Sequence, residues 1–365
     1  MKRKNNTVVC YVLAYKEPKY IRSKVLLNIL KNIQNVETKT AINTTKGLFR
    51  YFETLAKVSW KRIRYKPNVY IIGFSGYEIY WPVRFLTWPK PLIFDEFINA
   101  YEWFVKEHAL IKEKSFISKI LRWYVRSILK NSRKILTDTM LHAESSAFTY
   151  GIPLRKYQTL YVGTYENLFE KVESKVNEKE FTVFFYGNFL PLHGVEYILD
   201  AARLLQGLPI KFVIIGGVDK EREFKKFTEY AEAHGLTNIQ HHSWVDFEEL
   251  PRYIAEADLC LGGPFGGTPQ AQKVITGKTF QFLAMCKPVI VGRIEEESGL
   301  IDKENCLLVP QKSGNALARA ITWGYNHPDE LKKIGQKGYK LYYKSFSTQA
   351  LTPTLSDILY DVVKN

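Results

Sequence analysis

The chain has 365 residues, of which 46% are hydrophobic, and a formal net charge of +15. This length predicts two domains, each large enough to bury a core, and the composition excludes a disordered chain. No apolar run approaches the roughly 20 residues of a membrane-spanning helix, so a soluble protein is expected. The charge is one-sided, because residues 1–170 carry 29 Lys and Arg against 13 Asp and Glu, whereas residues 171–365 carry 23 against 24. Such a basic half attracts lipid head groups, phosphorylated substrates or nucleic acid.

The first half alternates strand and helix patterns. Strands are predicted at Val8–Ala14, Val69–Phe74, Pro91–Phe94, Ile135–Thr137 and Gln158–Val162. Helices are predicted at Tyr20–Asn35, Leu48–Ile63, Tyr101–Ile111, Ser115–Asn131 and Leu141–Tyr150. The apolar N-terminal run lacks a small-residue cleavage site, so it is interpreted as a buried strand and not as a signal peptide.

The second half repeats this alternation more regularly. Strands are predicted at Phe181–Tyr186, Lys211–Ile215, Ile239–His242, Asp258–Leu261 and Val289–Val291. Helices are predicted at Gly194–Leu205, Lys220–His234, Phe247–Ala257, Lys278–Met285 and Thr348–Val363. Strands and helices at this spacing indicate two parallel α/β sheets, divided in the charged stretch 166–180.

In open parallel sheets, ligands bind beyond the carboxyl ends of the strands. This rule places four loops around one cleft, namely Gly73–Gly76, Gly187–Gly194, Gly216–Asp219 and Gly262–Gly267. The last loop has glycines at 262, 263, 266 and 267, which permit positive φ and close approach of a ligand. The N-terminus of the helix that follows favours a phosphate, and Lys273 and Lys278 add positive charge. An ordinary strand–loop–helix connection is the alternative interpretation.

Five segments of the second half carry a family resemblance. They are FFYGNFLPLHGVEYILDAARLL (184–205), FVIIGG (212–217), LPRYIAEADLCLGG (250–263), KTFQFLAMCKPVI (278–290) and ENCLLVP (304–310). In this order they resemble glycosyltransferase family 4, the retaining sugar-nucleotide enzymes of the GT-B fold. The resemblance implies two Rossmann-like domains facing across a cleft: an acceptor-binding domain at 1–170 and a donor-binding domain at 171–345. It also implies a helix at 346–365 that packs back on the first domain.

The chain departs from the family at four positions. Asn188 and His193 stand where the family has Arg and Lys facing the diphosphate, and Lys273 and Gln281 stand where it has a Glu-x7-Glu pair. A Gln can still hydrogen-bond ribose hydroxyls, whereas a Lys accepts no hydrogen bond. We therefore expect the site's positive charge to have moved to Lys273, Lys278 and Arg293. A degenerate, inactive donor site is the alternative.

The site residues follow from these motifs and from the resemblance. Lys278 is the first catalytic candidate, because it can stabilise negative charge on the departing phosphate. Asp95 is the second: it ends a strand and either acts on the acceptor hydroxyl or caps a helix. The expected donor-binding residues are Gly187, Asn188, His193, Gly194, Gly216, Gly266, Gly267, Lys273, Gln281 and Glu297. Asp138 is interpreted as a helix cap and His142 is given no role. No metal or other cofactor is expected.

The segment Phe116–Leu136 combines an apolar helical stripe with six basic residues. The stripe comprises Phe116, Ile117, Ile120, Leu121, Tyr124, Val125, Ile128 and Leu129. This pattern fits a helix on an anionic membrane, and it equally fits a helix packed on a sheet. The acceptor or membrane face is expected to include Lys16, Arg22, Lys119, Arg122 and Arg126.

The leading functional hypothesis is a retaining transferase that moves a hexose from a UDP- or GDP-linked sugar to a glycan or lipid-linked glycan. A second is another GT-B enzyme such as a sugar-nucleotide epimerase. A third is a basic membrane- or nucleic-acid-binding protein with a degenerate donor site, although no nucleic-acid motif is present and no nucleic-acid partner is expected. The four cysteines lack metal-ligand spacing, so reduced thiols and a cytoplasmic location, peripheral to the membrane, are expected.

Overall fold

The computed structural model describes residues 6–18, 20–171, 180–217 and 222–364. The chain divides into two compact units, one formed by Met1–Val162 with Thr348–Asn365 and the other by Gly163–Ser347. Part of the predicted division at 166–180 lies outside the described residues, as do the end of the loop predicted at Gly216–Asp219 and the start of the helix predicted at Lys220–His234.

The first unit contains a six-stranded, fully parallel sheet in the order β2-β1-β3-β4-β5-β6. Its strands are β1 (Thr7–Leu13), β2 (Val36–Ile42), β3 (Val69–Ile72), β4 (Leu92–Asp95), β5 (Lys134–Thr137) and β6 (Tyr157–Thr159). Its helices are α1 (Ile21–Asn32), α2 (Phe49–Tyr65), α3 (Tyr80–Thr87), α4 (Phe116–Asn131), α5 (Met140–Tyr150) and, from the end of the chain, α12 (Thr348–Lys364).

Two apolar layers cover the faces of this sheet. One face packs against α2, α3, α4 and α5 through residues such as Val58, Val83 and Val125. The other face packs against α1 and α12, and Leu351, Leu355 and Ile358 of α12 are buried there. Helix α12 therefore covers the sheet of the first unit, because its leucine and isoleucine side chains need an apolar partner.

In the first unit, the sequence prediction missed β2 and α3 and misplaced one helix cap. Strand β2 lies at the edge of the sheet with a largely polar sequence in which Ala41 is the buried residue, so it carries a weak strand pattern. Helix α3 contains Pro82, which obscures a helical pattern. Helix α5 is capped by Thr139, whose hydroxyl accepts a hydrogen bond from the His142 amide at 3.1 Å, so the cap predicted at Asp138 is wrong.

The second unit repeats the architecture with a parallel sheet in the order β12-β11-β10-β7-β8-β9. Its strands are β7 (Phe181–Tyr186), β8 (Ile210–Ile215), β9 (Ile239–His242), β10 (Leu259–Leu261), β11 (Val289–Gly292) and β12 (Leu307–Val309). Its helices are α6 (Val195–Leu204), α7 (Arg222–Ala233), α8 (Leu250–Glu256), α9 (Gly277–Ala284), α10 (Gly314–Asn326) and α11 (Pro328–Ser345). The prediction of parallel α/β sheets is confirmed in both units.

The direction of strand addition reverses between β7 and β10 in the second sheet. The chain proceeds from β7 to β8 and β9 on one side, and then from β10 to β11 and β12 on the other. Doubly wound sheets bind ligands beyond the carboxyl ends of the strands at such a reversal, which here are the ends of β7 and β10.

Candidate functional site

The candidate site is built by the loops that follow β7 and β10, and glycines hold these loops together. The amide of Gly266 donates a hydrogen bond to the carbonyl of Leu192 at 3.0 Å. A Cβ atom on Gly266 would overlap the carbonyl oxygen of Pro191, and one on Gly194 would overlap the amide of Gly266. Glycine at these positions is therefore explained by the contact between the two loops.

The remaining predicted loop glycines also lie in close contact with other residues. A Cβ atom on Gly216 would overlap the carbonyl oxygen of Gly187, so the turns after β7 and β8 also touch. Gly267 packs against the Lys312 side chain. Of the four glycines at 262, 263, 266 and 267, only Gly263 has a positive φ, of 68°. The expected need for positive φ in this loop is thus restricted to one position.

Lys278 lies in the first turn of α9, and its amine points to the loop after β7. Its Nζ lies 3.0 Å from Nε2 of His193, and a Cβ atom on Gly187 would lie 3.3 Å from the same Nζ. The side chain is buried, with 7% of its surface exposed, and burial lowers its pKa to about 7. A protonated amine here lies beside backbone and imidazole, so an anionic ligand would stabilise its charge.

His193 has one arrangement of protons that satisfies both of its contacts. Nδ1 of the ring contacts the backbone carbonyl oxygen of Asn188, which can only accept, so Nδ1 carries the proton. Nε2 then accepts a hydrogen bond from the Lys278 amine. Burial and the positive charge of Lys278 lower the pKa of His193 well below its usual value. The imidazole is therefore neutral and orients the lysine.

Gln281 lies one turn after Lys278 on the same helix. Its side chain is buried, and its Oε1 accepts a hydrogen bond from the hydroxyl of Tyr186, the last residue of β7. Helix α9 and strand β7 are thereby joined at the same edge as the Lys278–His193 contact. The structure thus brings together the residues predicted from two separate sequence segments.

The other predicted donor residues differ in their exposure to solvent. Lys273 is buried in the loop before α9, and its amide donates to the carbonyl of Gln270. Asn188 is exposed at the turn after β7, and Glu297 is exposed in the segment after β11. Glu297 follows the end of that strand by five residues.

In the first unit, Asp95 and Arg22 form a buried ion pair. Asp95 accepts from Nη2 of Arg22 at 2.9 Å and from Nε at 3.2 Å, and both side chains are fully buried. The same guanidinium donates to the carbonyl of Leu160 at 2.7 Å. Arg22, which we expected on the acceptor or membrane face, is therefore an internal residue. Asp95 is also buried, and its pairing with Arg22 fixes α1 to β4. Its expected action on an acceptor hydroxyl stays a prediction.

Sequence reasoning missed a buried polar cluster beside this pair. Glu96 accepts hydrogen bonds from the Ser146 hydroxyl at 2.8 Å and from the Asn99 amide at 2.5 Å. Burial raises the pKa of Glu96 to about 7. His142 contacts Asp138 through Nδ1 at 2.7 Å, so the His142 that we gave no role belongs to this cluster. The sequence FDEF (94–97) at the end of a predicted strand was the available signal. We selected Asp95 from it as a site residue and did not select Glu96.

Helix α4 combines the two interpretations of its sequence. Val125, Ile128 and Leu129 are buried against the sheet, as a packed helix requires. The N-terminal part of the predicted stripe is instead open to solvent, with Phe116 76%, Ile117 62% and Ile120 48% exposed. A further exposed aromatic residue, Trp123, extends this surface.

The basic residues predicted on this face differ in their partners. Arg122 donates to the carbonyl of Thr149 at 2.8 Å and Arg126 to that of Tyr150 at 2.7 Å, so both stabilise the C-terminus of α5. Lys119 is exposed, and Lys16 is exposed with Glu17 at 3.8 Å.

Two negative findings apply to the described residues. No group of three or more His, Cys, Asp or Glu side chains in the described ranges is arranged to hold a metal ion. No helix within those ranges is both long enough and apolar enough to cross a membrane. The absence of a cofactor stays a prediction.

Part of the chain matches a protein family and a curated protein. Residues 180–327 match the family described as glycosyl transferases group 1. A Klebsiella pneumoniae protein, described as an uncharacterized 41.2 kDa protein in the cps region, is 27% identical over 161 residues, which are 40% of this chain and 42% of that protein. The chain therefore aligns with less than half the length of this curated relative.

Solved structures are similar to nearly the whole chain. The Anabaena HepE protein in complex with UDP-glucose has a TM-score of 0.73 at 13% identity, covering 97% of this chain and 99% of that one. Sucrose-phosphate synthase from Thermosynechococcus elongatus has a TM-score of 0.71 at 15% identity, covering 98% and 99%. The two parallel-sheet units therefore have the Rossmann-like GT-B fold.

Proposed function

We propose that this protein is a retaining, family 4-like glycosyltransferase that moves a hexose from a nucleoside-diphosphate sugar to a glycan or lipid-linked glycan. The group 1 domain at residues 180–327 supports the reaction class. The HepE protein was solved with UDP-glucose, which makes a UDP-linked sugar the first donor to test. The observation that carries the proposal is the buried Lys278 amine beside His193 and Gly187 at the carboxyl edge of the second sheet.

The chemistry requires positive charge at the departing phosphate. When the bond between the sugar carbon and the diphosphate oxygen breaks, the electron pair stays on the diphosphate while the sugar gains oxocarbenium character. A cation that is already desolvated and oriented stabilises this charge strongly. Lys278 meets these conditions, because His193 holds its amine at 3.0 Å and the surrounding protein excludes most water.

Substrate binding changes the protonation of this lysine. In the free protein, burial lowers the pKa of Lys278 to about 7, so the amine is partly neutral at physiological pH. A diphosphate nearby raises that pKa, because an opposite charge favours the charged form. The proposed site therefore takes up a proton as it binds its donor.

We assign the remaining donor contacts by position. Gln281 would bind the ribose hydroxyls, and Lys273 and Glu297 would contact the phosphate and the sugar. Glycines 187, 194, 216 and 266 keep the three turns in contact at the same edge, and Gly267 packs against the Lys312 side chain.

A nucleotide panel tests the donor site. We expect UDP or GDP, and the corresponding nucleotide sugars, to raise the melting temperature of the protein and to bind in a calorimetric titration. Lys278→Met should weaken binding at least tenfold. Lys332→Met, which removes an exposed lysine of α11 in the same unit, should leave it unchanged. If no nucleotide binds the wild-type protein, the donor site is degenerate and the proposal fails.

Product analysis separates transfer from the other GT-B reaction class. A transferase converts the nucleotide sugar only when a glycan acceptor is present and preserves the anomeric configuration, which NMR of the product reports. An epimerase converts the nucleotide sugar without an acceptor. Conversion of the nucleotide sugar into its epimer without an acceptor would therefore replace this proposal with the epimerase alternative.

We further propose that the first unit binds the cytoplasmic face of an anionic membrane through the start of α4. Phe116, Ile117 and Trp123 are open to solvent and Lys119 is exposed among them. Apolar side chains flanked by cations are what an interfacial helix requires. Ile117→Ser/Trp123→Ser should reduce sedimentation with phosphatidylglycerol vesicles at least fivefold, whereas Trp244→Ser, at an exposed tryptophan of the second unit, should not. Equal sedimentation of all three proteins would exclude this surface.

A further inference from the structure

A cavity lies at the amino edge of the first sheet. It has a volume of about 720 Å³. Its walls come from the residues immediately before β3, β4, β5 and β6, including Asn68, Pro91 and Arg133, together with the end of α12. Nucleotide and acceptor binding in this fold class use the opposite, carboxyl edge of the sheets, so this cavity is separate from the site proposed above.

Positive charge dominates the walls of the cavity. Six basic residues line it, namely Arg84, Lys90, Arg133, Lys134, Arg155 and Lys156. The one carboxylate among the lining residues is Asp361, which pairs with Lys134 at 3.0 Å. The lining thus has five more cations than anions.

Backbone carbonyls hold some of these cations without neutralising them. Lys156 donates to the carbonyls of Lys130 at 2.7 Å and Leu129 at 3.1 Å, and Arg84 donates to that of Lys90 at 2.8 Å. The pKa of Lys156 is lowered by burial and by the positive charges of Arg133 and Arg155. Cations that disfavour one another in this way would be stabilised by a ligand with several negative charges.

An exposed tryptophan lies among these cations. The Trp88 ring has 66% of its surface open to solvent, and the Arg84 guanidinium lies 4.8 Å from the ring centroid. An inorganic anion makes no use of an aromatic face, whereas the apolar face of a sugar ring packs against one. Aromatic and basic side chains together therefore fit a sugar that carries charged groups.

We propose that this cavity binds an anionic glycan, a chain of sugars bearing carboxylate, phosphate or sulfate groups. The choice of a glycan rests on the proposed glycosyltransferase function, because an acidic acceptor polymer could be held here while its end reacts elsewhere. The four residues of β3 separate the two edges of the sheet by roughly 13 Å, at about 3.3 Å per residue.

A calorimetric titration with defined probes tests the cavity. The probes are a sulfated heparin hexasaccharide, uncharged maltohexaose, inorganic phosphate and phosphatidylglycerol vesicles. We expect the sulfated hexasaccharide to bind and maltohexaose not to bind at 0.15 M salt. Arg133→Gln/Arg155→Gln should weaken hexasaccharide binding at least tenfold. The matched variant Lys332→Gln/Lys333→Gln removes two exposed cations of α11 and should change it less than twofold.

A third variant isolates the aromatic contribution. Trp88→Ala should weaken the hexasaccharide at least threefold and leave the affinity for inorganic phosphate unchanged. Circular dichroism and melting temperature check that each variant is folded.

Three outcomes would overturn the proposal. The first is that the hexasaccharide does not bind. The second is that the two double variants lose equal affinity for the hexasaccharide. The third is that vesicles bind in a way that depends on Arg133 and Arg155 while the hexasaccharide does not bind. The last outcome would make the cavity a lipid headgroup site. UDP titrated into the same proteins reports the donor site independently, so failure of the glycan site and failure of the proposed function give different results.

Discussion

Replacing Lys278 by Met should stabilise the free protein while it disables the proposed donor site. Burial lowers the pKa of this amine from 10.5 to about 7. Between these two pH values the unfolded chain binds the proton more tightly, so the free energy of unfolding rises with pH in that window. Below pH 7 the buried charge costs roughly 5 kcal/mol, at 1.36 kcal/mol for each pKa unit.

Methionine retains much of the length of lysine and carries no charge. The variant loses the hydrogen bond from Nζ to His193, worth about 1 kcal/mol. We therefore expect Lys278→Met to raise the free energy of unfolding by about 3–4 kcal/mol at pH 6.5 and by almost nothing at pH 10. In a unit of this size that gain raises the melting temperature by about 10 °C, at roughly 2–4 °C per kcal/mol.

Urea unfolding at several pH values, followed by circular dichroism, measures this effect. Lys332→Met is the control, because an exposed amine should give no pH-dependent difference. In parallel, the dissociation constant of wild-type UDP complexes should rise by about tenfold per pH unit above 7, since the amine must gain a proton on binding. A variant that is destabilised equally at every pH, with unchanged UDP affinity, would refute the reasoning.

Three further predictions concern other parts of the chain. Arg22→Met leaves Asp95 buried without its partner and should lower the free energy of unfolding by about 3–5 kcal/mol in urea, whereas Arg22→Met/Asp95→Leu should recover much of the loss. Gly266→Ala makes a methyl group overlap the Pro191 carbonyl oxygen, so it should lower the free energy of unfolding by about 1–3 kcal/mol and weaken UDP binding in calorimetry. Unchanged stability and UDP affinity would show that the two loops move apart freely. Because the pKa of Glu96 is raised to about 7, the free energy of unfolding of the wild-type protein should fall by up to roughly 3 kcal/mol as pH rises from 4.5 to 7. Glu96→Gln should remove this decline in urea unfolding. A variant with the same pH dependence of stability as the wild type would contradict the prediction.

The sequence was informative wherever the signal is local. The strand at Phe181–Tyr186 and the helix around Lys278 follow from apolar runs and spacing, and the structure places both within a residue or two of the prediction. Strand β2 was not predicted, because an edge strand with polar residues lacks the apolar alternation on which the prediction depends. Helices α10 and α11 received no prediction, and neither did α3.

Side-chain partners were beyond local reasoning. Arg22 and Asp95 are separated by 73 residues, and Lys278 and His193 by 85. A lysine in the sequence is read as a surface cation by default, and so is an arginine. Packing decided that Lys278 and Arg22 are buried, the former beside a neutral imidazole and the latter beside a carboxylate.

The sequence by itself determined the alternation of most strands and helices and the parallel α/β class, and it predicted which segment binds the donor. These depend on residue periodicity and on glycine spacing, which are properties of neighbouring residues. The tertiary structure alone decided which charges are buried, which glycines are explained by contact between loops, and that six basic residues from the first unit line one cavity. Burial and charge proximity depend on distances between residues far apart in the chain, and only packing sets those distances.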